Sequence, residues 1–210
     1  PYTRKLMVDG ISKDEMKITG SIDRVDIEKY KNDEGKLCEK VRVMDYKTGS
    51  TRFDIKEVYD GLQLQLVMYL SAIVEKELAK GNAGNVEPEG AYYYGISDSW
   101  EKDKKTKEKE YEPDGIDASD EVYDGQIESV MKYVDKKIVE LEKSLLQGDI
   151  SKYPIQAEQD KMQCVYCPYK ANCRFDVSDG GNEVKKRSYA GNSVAVRKEI
   201  VAAMGQEVDS

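Results

Sequence analysis

An α/β fold, with a mixed central sheet flanked by helices, is what this sequence of 210 residues predicts. Three observations predict it. Two β-patterned stretches flank a polar turn, two long segments repeat their apolar residues at helical spacing, and a short apolar run lies between those segments. The order strand, strand, helix, strand, helix packs helices against a sheet.

Met16 to Ile27 is expected to form the first strand and Val41 to Lys47 the second, with Asn32-Asp33-Glu34-Gly35 closing a hairpin between them. Tyr59 to Ala79 places Leu62, Leu66, Tyr69, Leu70, Ile73 and Leu78 on one helical face. Asn82 to Gly90 ends that helix with glycines, asparagines and Pro88. Ala91 to Ile96, rich in tyrosine, suits a buried strand. In Glu101 to Glu110 nine of ten residues are Lys, Glu or Asp, the pattern of a solvated loop. Glu121 to Gln147 carries Ile127, Val130, Met131, Val134, Ile138, Leu141 and Leu145, a long amphipathic helix ending near Gly148. Asp176 to Asn192 reads as a polar linker before a short helix near Val194 to Met204. The expected organisation is a core over 1–150, a cysteine segment over 151–176, and a linker with a C-terminal helix over 177–210.

With 39% hydrophobic and 35% charged residues, and no apolar run near eighteen residues, the chain reads as a soluble domain with no membrane segment. It opens on Pro1, and Pro1 to Ile11 has no apolar signal region, so the expectation is an N-terminally truncated piece of a longer cytoplasmic protein. Net charge is −8, from 33 basic and 41 acidic residues, which argues against nucleic-acid binding through a uniformly basic surface. Carboxylates that hold a divalent metal remain compatible with it. Histidine is absent, which removes serine-histidine hydrolysis, a histidine general base and histidine-ligated zinc together.

In Val41-Arg42-Val43-Met44-Asp45-Tyr46-Lys47, the two-residue period of a strand puts Asp45 and Lys47 on one face. If the hairpin closes symmetrically about Glu34, Asp23 and Asp45 are equidistant from the turn and face each other at roughly 5 Å. Two carboxylates that close repel unless a cation lies between them. Magnesium, which prefers carboxylate, water and phosphate oxygens, would supply that charge, and Lys47 would orient the attacking water or stabilise charge on a phosphate. Spacing alone equally allows an ordinary cross-strand ion-pair cluster on a wet face. Tyr69 has the same double reading, as a site residue or as a core tyrosine on an apolar stripe.

Gly20-Ser21-Ile22-Asp23-Arg24-Val25-Asp26, then Asp45-Tyr46-Lys47-Thr48-Gly49, then Gln63-Leu64-Gln65-Leu66-Val67-Met68-Tyr69 resembles the successive motifs of RecB-like nucleases of the PD-(D/E)XK superfamily, in order. The resemblance covers roughly Lys17 to Asp176. It implies a restriction-endonuclease-like core, Asp23 and Asp45 as metal ligands with the Tyr46 carbonyl, and Lys47 as catalytic lysine. It also implies that Gln65 and Tyr69 line the active site, which is sensible because positions i and i+4 share a helix face. Gln63 is expected to one side of that face, and Arg24 and Asp26 to pair around the site.

Cys164-Val165-Tyr166-Cys167-Pro168-Tyr169-Lys170-Ala171-Asn172-Cys173 spaces three thiols as C-x2-C-x5-C, for which metal ligation is a better reading than disulfides in a cytoplasmic chain. Zinc would need a further cysteine or a carboxylate. The run also resembles the closing triplet of iron-sulfur nuclease domains in AddB-type subunits and CRISPR-associated exonucleases, which implies a 4Fe-4S cluster whose first cysteine lies upstream. Cys38, at the start of the second strand, does not match that ligand and reads as a structural thiol. The leading expectation is a Mg2+- or Mn2+-dependent DNA exonuclease domain of a helicase-nuclease that processes double-strand ends for recombinational repair beside an AddA-type partner, the isolated fragment itself being of doubtful activity. The alternatives are a stand-alone CRISPR-associated RecB-like exonuclease and a catalytically inactive nuclease-fold scaffold that binds DNA.

Overall fold

The structure is a computed structural model that describes residues 2–6, 16–48, 51–81, 83, 85–96, 113–118, 126–155, 164, 167–176, 183–185 and 192–205. A four-stranded mixed sheet in the order β3-β4-β5-β6 forms its centre: β3 Arg24–Lys31, β4 Leu37–Lys47, β5 Asn85–Gly95 and β6 Asp114–Asp117. β4 and β5 run parallel, and the other neighbours are antiparallel. A parallel pair needs a crossover. Helices α1 (Ile55–Tyr59) and α2 (Gln65–Lys80) supply it. The expected mixed α/β architecture is therefore present.

The expected hairpin forms with the expected register. Asn32 caps the turn, its side chain accepting the N–H groups of Glu34 at 3.1 Å and Lys36 at 2.9 Å. Arg24 pairs with Met44 and Val25 with Val43, so the next step outward sets Asp23 opposite Asp45. The first strand, however, is broken in two. Met16–Gly20 is β2 and pairs with β1, Tyr2–Leu6, in a separate antiparallel ribbon. The ladder of β3 and β4 stops where the Asp23 carboxylate, instead of a backbone carbonyl, takes the Tyr46 N–H.

The single helix expected over Tyr59 to Ala79 is also two. Gly61 has φ of +85°, a left-handed conformation that glycine adopts without a side-chain clash, and it turns the chain between α1 and α2. The strand expected over Ala91 to Ile96 begins earlier, at Asn85, and carries a bulge where Val41 pairs with Pro88 and Arg42 with Gly90. The second long helix is α3, Ile127–Leu146, and a single turn, α4, spans Lys170–Cys173.

Alternation along β4 separates two faces. Val41 and Val43 are fully buried and join Leu66, Val67 and Leu70 of α2 in the core. Arg42 and Met44 point to the opposite face, where Arg42 meets Glu89 at 2.7 Å. Beyond α2 the core continues through Val130 and Val134 of α3 to α5, Ser193–Gly205, whose Val196, Ile200 and Met204 are buried in the same cluster. The terminal helix expected from sequence is thus part of the core. The charge run at 101–110 and most of the segment 176–192 lie outside the described residues. Among the described residues no helix is long and apolar enough to cross a membrane.

Candidate active site

Asp45 and Lys47 prolong the face of β4 that carries Val41 and Val43, at the strand's C-terminal end. The carboxyl ends of parallel strands are where open α/β sheets place their ligands. Hydrophobic packing buries the first half of the row, and the same alternation carries Asp45 with it, leaving this carboxylate only 6% exposed. Lys47 Nζ approaches Asp45 Oδ2 at 2.5 Å, yet Oδ2 has no hydrogen-bond donor, so the two form an ion pair whose angle does not suit a hydrogen bond. The Lys47 ammonium offsets the cost of burying this carboxylate, so the charge on Oδ2 is met by a cation rather than by a hydrogen bond.

Asp23 stands exposed at the broken end of β3, and its Oδ2 accepts the Tyr46 N–H at 2.9 Å. This bond ties Asp23 to the residue between Asp45 and Lys47. The Tyr46 ring lies on the other face, edge-on to Tyr94 at 5.7 Å. Arg24 and Asp26 pair at 2.9 Å, as expected. That contact holds the Asp26 carboxyl below the usual range and raises Arg24.

At the N-terminus of α2, Gln65 Nε2 donates to the Tyr69 hydroxyl at 2.8 Å, the one-turn contact that the i and i+4 spacing implies. Tyr69 packs as the core reading expects. It is 7% exposed within the hydrophobic core, and its hydroxyl carries a polar partner. A Cβ on Gly20 would come within 2.8 Å of the Tyr69 ring, so the glycine at the end of β2 lets the ribbon close onto α2.

Tyr93 is a site residue that reading the sequence missed. Parallel pairing sets it directly beside Asp45, it is 5% exposed, and the Lys47 ammonium lies 5.4 Å from its ring centre. Burial, with the charges of Asp45, Glu57 and Tyr69, pushes its hydroxyl up to about 12. Glu57, on α1, is thereby placed in the same neighbourhood. A β-strand pairing across a crossover leaves no local signal, and only the tyrosine-rich composition of Ala91 to Ile96 hinted at it.

Asp23, Asp45 and the Tyr46 carbonyl make an oxygen-only donor set, whose chemistry is that of ligands for a hard divalent ion. The cysteines fit their expected group less well. Cys164, Cys167 and Cys173 occupy consecutive turns, with Cys167 N–H on the Cys164 carbonyl at 3.3 Å and Cys173 N–H on that of Tyr169 at 2.9 Å. Cys38 is buried at the far end of β4, its thiol near the Lys36 carbonyl. All four are free thiols, and among the described residues no three of Cys, Asp or Glu converge as metal ligands. A four-thiolate cluster is not completed by these 210 residues.

Residues 2–174 match the PD-(D/E)XK nuclease superfamily. Among curated proteins, the chain is 31% identical to an ATP-dependent helicase/deoxyribonuclease subunit from Caldanaerobacter subterraneus subsp. tengcongensis, over 93% of this chain and 20% of that protein. It is 29% identical to the protein of the same description from Clostridium tetani, over 83% of this chain and 18% of that one. The counterpart from Alkaliphilus metalliredigens is 27% identical, over 86% and 19% respectively. The chain spans about a fifth of the length of these relatives. The buried Asp-x-Lys pair at the carboxyl end of β4, the match over most of the chain and these relatives agree: this chain belongs to the PD-(D/E)XK nuclease superfamily.

Proposed function

We propose that this chain is the nuclease domain of a helicase-nuclease subunit and hydrolyses DNA phosphodiesters with a divalent metal, Mg2+ or Mn2+. The observation that carries this reading is the buried Asp45 carboxylate paired with the Lys47 ammonium, with Asp23 tied to the Tyr46 N–H between them. Asp23, Asp45 and the Tyr46 carbonyl hold the ion. Bound there, the metal supplies Lewis-acid polarisation of the phosphoryl group and lowers the pKa of the attacking water. Lys47 places its positive charge against the phosphate oxygens where charge develops. The Tyr93 ring backs that ammonium, and its neutral phenol adds no competing negative charge. Gln65 and Tyr69 present an amide and a hydroxyl to the phosphate from the start of α2.

Within a cytoplasmic helicase-nuclease this domain cleaves exonucleolytically a strand delivered by a motor subunit of AddA type, during the processing of double-strand ends. Delivery by the motor accounts for the acidic balance of the chain, because steering of the DNA is left to other surfaces. A 4Fe-4S cluster on Cys164, Cys167 and Cys173 requires a ligand from outside the 210 residues, and visible absorbance of anaerobically purified full-length protein tests for it.

In the full-length protein, Asp45→Ala and Lys47→Ala are expected to lower cleavage of linear DNA by roughly 10³-fold or more while binding persists. Removal of divalent metal by chelation is expected to abolish cleavage, with recovery on adding Mg2+ or Mn2+. Unchanged cleavage by both variants rejects the site.

A further inference from the structure

Between Lys47 and α1, the backbone of Arg52, Phe53 and Asp54 is tied down by two side chains, those of Gln63 and Asp114. Gln63 Nε2 donates to the Arg52 carbonyl at 3.0 Å, and Gln63 Oε1 accepts the Asp54 N–H at 3.0 Å. Phe53 N–H donates to the Asp114 carboxylate of β6 at 3.1 Å. Asp54 in turn caps α1 through the Lys56 N–H at 2.9 Å and lies 3.7 Å from the Lys56 ammonium. Backbone amides held by side chains on both sides are set before any ligand arrives, which is the condition for precise recognition.

The strap lies near the carboxylates. Asp114 pairs with Tyr93, and Tyr93 with Asp45, so one row crosses the sheet from Asp45 to the residue that holds Phe53. Two strand spacings are about 10 Å. A nucleic-acid strand presents a phosphate every ~3.4 Å of axis, so the strap falls about three phosphates from the metal-binding pair. Its acids are already engaged, Asp54 by Lys56 and Asp114 by Phe53. Arg52 is exposed and makes no ion pair among the described residues, unlike Arg24 and Arg42.

From this juxtaposition we infer that Arg52 contacts a phosphate of the bound strand about three phosphates from the scissile one, and that Gln63 is its positioning residue. The inference rests on the nuclease reading above and deepens it. Because the Arg52 backbone is clamped from behind, binding costs little backbone freedom there, which favours it over a cation on a mobile loop.

The test uses the full-length protein and a fluorescein-labelled single-stranded oligonucleotide, with Ca2+ in place of Mg2+ so that binding is read without cleavage. Arg52→Gln is expected to weaken binding several-fold and to reduce the slope of log affinity against log salt by about 0.7, the share of one phosphate on a single strand. Gln63→Leu is expected to reproduce that loss with Arg52 intact, and the double variant to be no weaker than Arg52→Gln alone. Where Gln63→Leu melts early, Gln63→Glu keeps the acceptor for Asp54 N–H, loses the donor to the Arg52 carbonyl, and reads the same coupling. An unchanged salt slope for Arg52→Gln overturns the phosphate contact. Losses that add in the double variant overturn the positioning role of Gln63. Wild-type cleavage by Asp45→Ala overturns the nuclease reading instead, a result the slopes cannot imitate.

Discussion

Lys47 has two neighbours of opposite character, the Asp45 carboxylate at 2.5 Å and the Tyr93 ring at 5.4 Å. The carboxylate alone would draw the ammonium down onto itself, whereas the electron-rich ring offers a second favourable position facing the open end of β4. Tyr93→Phe preserves the ring and is expected to leave cleavage within about twofold of wild type. Tyr93→Leu removes it and is expected to lower kcat by roughly 2- to 30-fold, the span of a cation–π contact of about 0.5–2 kcal/mol. Steady-state kinetics on the two variants check this, and equal losses from both would assign the effect to the hydroxyl. At the same scale, Asp23, Asp45 and Lys47 could be singled out in the sequence because the strand period is a local rule, whereas Gln65 and Tyr69 are singled out by the resemblance to RecB-like nucleases. Tyr93 could not, since its place beside Asp45 depends on a strand far along the chain, and the amide clamp of Gln63 could not, since it depends on how the irregular segment before α1 folds back.

At the scale of elements, the hairpin of β3 and β4 was readable because a tight turn propagates its register outward one pair at a time. The break after Gly20 was not. β2 leaves to pair with β1, whose residues carry no alternation strong enough to announce a strand. α1 and α2 merged into one expected helix because their apolar spacing runs through Gly61, and only the left-handed backbone at that glycine separates them. α5 makes a further prediction. Ile200 is fully buried among residues of the common core, so Ile200→Ala is expected to destabilise the protein by about 2–4 kcal/mol, measured by urea denaturation. Little change would mean that α5 does not pack as described.

The whole molecule carries several tyrosines held neutral by their surroundings. Tyr93 is pushed up to about 12 mainly by burial, Tyr30 to about 12 mainly by its hydrogen bond to Glu87, and Tyr92 and Tyr133 are raised as well. In the unfolded chain such phenols ionise from about pH 10, while in the native protein they stay protonated to about pH 12. The native state then binds more protons, so stability is intact below about pH 10 and falls as pH rises from there to about 12. Thermal melts across that range are expected to show a steep decline, and a flat profile would contradict these environments. By itself, the sequence determined the α/β class, the absence of histidine chemistry, and a pair of aspartates facing each other beside a lysine, all of which follow from composition and from contacts close along the chain. Only the tertiary structure decided that Asp45 is buried with a donorless oxygen, that Tyr93 stands beside it, and that α5 completes the core. These depend on the parallel crossover from β4 to β5 and on helix packing, whose partners are distant in sequence and leave no periodic trace in it.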